Sequence, residues 1–170
     1  MNPVDRIREQ RRLNTLQELV ARPHRKRIVN LDKIRSIGII AHNLSEEDKV
    51  TLGQFTNVMV NRGSMVRKIE LPAISDNLID KLGFPKTDFT QLFTTYQYDL
   101  LIDTTPADDI FGLYVTLTTS CNLRVGYIDT TTPSNKLAIE TYDFIIRGNG
   151  PCELTHYLTE ILNYLTQIRK

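Results

Sequence analysis

The chain has 170 residues, 41% hydrophobic and 24% charged, with a formal net charge of +1. That length suits one domain with a proper core and is too short for two comfortable ones, and the near-even charge singles out no class of partner. No apolar run approaches membrane-span length, the N-terminal stretch lacks the apolar centre of a secretory signal, and two cysteines exclude four-thiolate zinc or iron–sulfur centres by count.

Cys121 and Cys152 have no near partner at metal-ligand spacing, so reduced thiols and a cytoplasmic location are expected. Charge is unevenly spread: residues 1–30 hold eight basic against three acidic side chains, and the remainder thirteen against seventeen.

Taken in chain order, residues 1–21 read as a helix. Pro3 suits a first turn, and Val4, Ile7, Leu13, Leu16 and Val20 recur near helical spacing. Leu13, Leu16 and Val20 are the positions expected to pack on the rest of the chain. Pro23 ends this helix near Ala21, and "RPHRKR" is a charged linker; residues 1–30 are thereby set apart from a single α/β domain over 31–170. "IRSIGII" (34–40) is apolar on both faces, as a buried parallel strand is. A helix follows, opened by Ser45 with Asp48 three residues on and stopped by Gly63. "SMVRKIEL" is a second strand. Beyond Pro72 a short helix is expected around 77–82, while "GFPKTDFTQL" shows no usable periodicity.

"YDLLID" is a third strand. Residues 106–120 are expected to be helical although "LYVTLTTS" alternates like a strand, because the segment has a helix start: Thr105 as N-cap, Pro106 in the first turn and Asp108 as capping-box partner. "LRVGYI" is a fourth strand, 130–136 a polar loop and "YDFIIRG" a fifth strand. Residues 151–169 close the chain as an amphipathic helix with Leu154, Leu158, Ile161, Leu162 and Leu165 inward. Strands alternating with helices imply βαβ units. The fold class is α/β: a three-layer, Rossmann-like or flavodoxin-like domain with an extra N-terminal helix. Its mostly parallel sheet has about five strands in the order 2-1-3-4-5.

Ligands of such sheets collect beyond the carboxyl ends of the strands. The turn "DTTPADD" lacks the glycines that let backbone approach a phosphate, and Asp108 and Asp109 already neutralise the helix start, as Ser45-Glu46-Glu47-Asp48 does for the earlier helix. Phosphate binding at either start is therefore not expected. The candidate ligand-binding residues are His42, Asp103, Thr104, Arg147, Gly148 and Gly150, at three strand ends that the topology makes neighbours. Arg147 would supply positive charge, the glycine turn close backbone approach, and Asp103 hydrogen-bond acceptors for hydroxyls, as a small anionic or sugar-like ligand requires. A direct Asp103–Arg147 pair would instead leave no site. Cys152 and His156 stand at i, i+4 on one expected helix face, but no third residue orients them, so no catalytic residues are assigned. No metal or cofactor is expected: nucleophile-elbow, P-loop and dinucleotide motifs are all missing from the sequence. The basic first helix has no aromatic anchors or stacking residues, which argues against nucleic acid and lipid for it.

The basic N-terminal helix, "IRSIGII", "YDLLID", "LRVGYI" and "YDFIIR" before a last helix ending "YLTQI" resemble a family of short bacterial α/β proteins of unknown function. That resemblance implies a fold and no activity. "YDLLID…LRVGYID" is also similar, over about a fifth of the chain, to a strand–helix–strand in the N-terminal half of heptosyltransferase-type glycosyltransferases, whose nucleotide-sugar domain has no counterpart here. Three functions stay open on the sequence. The first is a non-catalytic module binding a small ligand or a protein at the carboxyl edge. The others are a remnant of a glycosyltransferase-like enzyme, and a binder of anionic surfaces through residues 1–30.

Overall fold

β-branched segments that are apolar on both faces become strands only where both faces can be covered. In the computed structural model this happens five times, giving β1 Ser36–Ala41, β2 Met65–Glu70, β3 Gln97–Asp103, β4 Ser120–Asp129 and β5 Phe144–Gly148. They form one all-parallel sheet in the order β2-β1-β3-β4-β5, as the βαβ reading required. The structure describes residues 2–24, 27, 30–71, 78–132 and 136–168, the side chains of Leu92 and Phe93 excepted. Its helices are α1 Pro3–Val20, α2 Glu46–Asn61, α3 Thr87–Thr94, α4 Ile110–Thr118, α5 Lys136–Thr141 and α6 Leu154–Gln167.

One face of the sheet packs Ile37, Ile39, Leu100, Ile102 and Val125 against α2 and α6. On the other, Ile40, Leu101 and Ile128 meet α4 and α5, with Leu16 and Leu19 of α1 closing the far side of those helices. In α6 the inward residues are Leu154, Tyr157, Leu158, Ile161 and Leu165, while Leu162 is only half-buried. The capping box of α2 is present: Ser45 Oγ accepts from the Asp48 amide at 3.1 Å, and the Asp48 carboxylate accepts from the Ser45 amide at 3.3 Å. Gly63 then leaves the helix with φ of +86°, which a β-carbon would disfavour.

Four expectations need correction. Thr105 does not cap α4. Its hydroxyl donates back to Asp103 at 2.6 Å, and the helix opens at Ile110 with Asp109 as N-cap, accepting from the amides of Phe111 at 2.9 Å and Gly112 at 3.1 Å. The Thr-Pro-x-Asp turn imitates a capping box one turn early. The true cap is the aspartate directly before the apolar run. Helix α4 itself forms despite its β-branched residues, because the sheet covers one side and α1, α3 and α5 cover the other.

Residues 78–85 make a turn rather than a helix, with Asp80 Oδ1 accepting from the amides of Leu82 and Phe84 and a bridge between Ile79 and Pro85; Asn77 lies outside the described residues. The segment without periodicity supplies α3, and α5 is a six-residue crossover that the sequence reading passed over. Finally, α1 docks through Leu16 and Leu19. Leu13 is 36% exposed and Val20 sits at the margin of the core.

Candidate functional site

The carboxyl ends of β1 and β3 flank the point where strand order reverses, so the side chains there border the crevice such folds use for ligands. His42 follows β1 directly. Its Nδ1 lies 2.9 Å from Asp109 Oδ2, and both side chains are about one-sixth exposed. Because the partner is a carboxylate, Nδ1 carries the proton and donates. Asp109 is itself fixed, since its other oxygen caps α4. Two neighbouring devices therefore set the ring plane, and Nε2 has no protein partner among the described residues. Asn43 beyond it has φ of +51°, a left-handed turn that lets the chain leave the strand before Ser45. Thr104 is beside the pair at the end of β3, with its hydroxyl donating to the Ile40 carbonyl at 2.7 Å.

Asp103 lies one layer below. It is 1% exposed and its carboxylate accepts four hydrogen bonds: from the Thr105 amide at 2.9 Å, the Thr105 hydroxyl at 2.6 Å, the Thr116 hydroxyl at 2.6 Å and the Tyr142 hydroxyl at 2.9 Å. Its carbonyl accepts from Tyr157 at 2.9 Å. Burial holds this carboxyl above its ordinary value, against the lowering pull of those donors. Two glycines make the enclosure possible. A β-carbon on Gly112 would run into Thr105, and one on Gly126 into the Tyr142 ring. Asp103 is thus the hub of a closed network joining β3, α4, α5 and α6, and it has no lone pair to offer a ligand from solvent.

Arg147 is neither the partner of Asp103 nor its neighbour. β4 separates β3 from β5, and Arg147 borders a separate hollow of about 210 Å³ with Asp129, Thr130 and Ile139. The glycine turn after it is also committed: Asp129 Oδ1 accepts from the Gly150 amide at 2.9 Å, and Tyr127 donates to the Gly150 carbonyl at 2.9 Å. The Thr131 hydroxyl and amide, with that Gly150 amide, hold the Asp129 carboxyl below its ordinary range. A carboxylate occupies the place where an anion would meet the turn. The six candidates therefore do not converge: His42 and Thr104 share the crevice, Asp103 is sealed beneath it, and Arg147, Gly148 and Gly150 stand two strands away.

Cys152 and His156 are not on one helix face either, because α6 begins at Leu154. Burial pushes the Cys152 thiol up to about 12 and the Cys121 thiol up to about 11, so neither is a ready thiolate nucleophile. Sequence reasoning missed Asp109 as the residue that orients His42. An aspartate directly before an apolar helix was the available signal. For the part of Tyr142 in closing over Asp103 there was none.

A family model described as a family of unknown function (DUF6913) matches residues 8–168. The chain belongs to that family. No curated protein and no solved structure matches it, and nothing found supports the likeness to heptosyltransferase-type enzymes. Within the family of unknown function, this chain has an α/β fold with an all-parallel sheet, and among its described residues no helix is long and apolar enough to cross a membrane.

Proposed function

We propose that this protein is a non-catalytic small-ligand-binding α/β module whose site is the crevice between the ends of β1 and β3. The observation that carries the reading is the His42–Asp109 pair: an imidazole fixed from behind by a helix-capping carboxylate, with Nε2 left for a ligand. A neutral ring with Nδ1–H bound to Asp109 accepts at Nε2 from a hydroxyl or amine; a charged ring donates there. Glu46, Glu47 and Asp48 open the helix that follows His42, with Lys49 pairing only Glu46, and Asp108 precedes α4; this acidic sequence at both helix starts favours a neutral, hydroxyl-bearing or amine-bearing molecule over a phosphate. A sugar-like ligand meets those terms. The two free thiols support a place in a reducing bacterial cytoplasm.

The test is a thermal-shift screen of the full chain against monosaccharides, amino sugars and polyols, repeated on His42→Ala. Ligand binding to the native state raises Tm by mass action, about 2.7 kcal/mol at a hundredfold excess over Kd. A compound that stabilises the wild type and leaves His42→Ala unmoved supports the site. Equal shifts in both proteins, or no shift from any compound, sink it.

A further inference from the structure

At the opposite, amino edge of the sheet, Pro23, His24 and Arg27 border a cavity of about 360 Å³ with the start of β4 and the end of α4. The backbone amide of Arg27 donates to the Asn122 carbonyl at 2.9 Å and holds Arg27 beside β4. Arg22 and Arg27 stand at the cavity rim, and His24 and Arg124 form its half-buried wall. Among the described residues no carboxylate lines it. Asp143 lies behind the wall, accepting from the Arg124 backbone amide at 2.8 Å and pairing with His24 Nε2 at 2.9 Å.

Arg124 is the telling residue. Its Nη2 reaches the Leu117 carbonyl only at 3.3 Å, its side chain lies against the Cys121 thiol, and its Nε is shut off from solvent with no hydrogen-bond partner among the described residues. An enclosed guanidinium N–H without an acceptor is costly and uncommon. The carbonyls at the end of α4 contribute about half a negative charge and Asp143 behind the wall one more, which together do not balance three guanidinium groups. Three arginines bordering one cavity, an enclosed donor with no acceptor among the described residues and a volume of small-molecule size together describe an oxyanion site.

We propose that this cavity binds the phosphoryl group of a small phosphorylated metabolite, held by Arg124 and Arg27 with Arg22 and His24 completing the charge. A phosphate monoester offers three terminal oxygens and close to two negative charges, which matches several guanidinium groups approaching from different sides. The side chains of Gln97 and Asn122 on the same wall supply neutral contacts for the hydroxyls of the attached group. This site is independent of the His42 crevice, which lies at the other end of the strands beside Asp109.

The experiment titrates the full chain with inorganic phosphate and with glycerol 3-phosphate, against sodium chloride of matched ionic strength and against succinate. Binding is read by calorimetry and by amide shifts in NMR. Saturable phosphate binding that shifts the amides of residues 118–124 and weakens at least tenfold in Arg124→Gln supports the site. Arg27→Gln, at a position outside every helix and strand, must weaken it too, and this variant keeps the test decisive if Arg124→Gln does not fold. Arg6→Gln, on the exposed face of α1, should bind like the wild type. Phosphate effects no larger than those of chloride, unchanged affinity in Arg27→Gln, or amide shifts at residues 42–44 instead would overturn the proposal. Succinate binding more tightly than either phosphate would overturn the phosphoryl assignment.

Discussion

A buried carboxylate with four donors pointed at it is an unusual residue to find under a strand end, and Asp103 makes stability depend on pH in a definite direction. Its carboxyl is held above the ordinary 3.8 by burial. The folded protein therefore keeps that proton over a range in which the unfolded chain has lost it. The associated stability is complete below 3.8 and is lost as pH rises through the folded value. Asp103→Asn has no such dependence. The unfolding free energy of the wild type minus that of Asp103→Asn, from urea denaturation across a pH series, should thus fall as pH rises from 3.8 and then level off. A difference that is flat, or grows with pH, would show that the network favours the charged form. Two of its donors come from Thr105 close by, but the closure of the network could not be read locally, because Thr116 and Tyr142 lie 13 and 39 positions away.

Among the elements, α1 is held by very few side chains. Leu16 is fully buried and Leu19 is 7% exposed, whereas Val4 and Ile7 are more than half exposed. Leu16→Ala should cost about 2–5 kcal/mol, the usual range for emptying a core leucine site, and Leu13→Ala about 0.5 kcal/mol or less. Urea unfolding of the two variants checks this, and the reverse order would contradict the docking register described. The two leucines also show how far a pattern can be read. Helical spacing located α1, and Leu16 among its inward residues. It could not say which of the flanking positions face the core, since that depends on where α4 and α5 cross beneath. Helix α2 was legible to its last detail because a capping box and a stop glycine are written in adjacent residues. Helix α4 was legible as a helix but not in its start, where two aspartates compete and Asp103 takes the hydroxyl of the threonine that would have capped it. Helix α5 was invisible, being too short for any period to develop. The candidate site split for a related reason: strand order brought the right edges together, but it carries no information on which side chains their own neighbours have already engaged.

For the molecule as a whole, the strand order places β1, β3 and β4 inside the sheet, and both of its faces are covered. Because α1 shares a core with α4 and α5, it should not melt on its own. Far-UV circular dichroism and hydrogen exchange at the Leu16 and Leu19 amides should report the same unfolding free energy in urea. Exchange of those amides at a much lower free energy would mark α1 as a separately opening unit. The same contact has a consequence during synthesis. Residues 3–20 leave the ribosome well before the α4 and α5 segments, 110–141, against which they pack. Leu16 and Leu19 must wait uncovered while most of the sheet is made. The many arginines of this first helix give the waiting segment a charged, well-hydrated surface, so its composition suits the nascent chain as much as the finished fold.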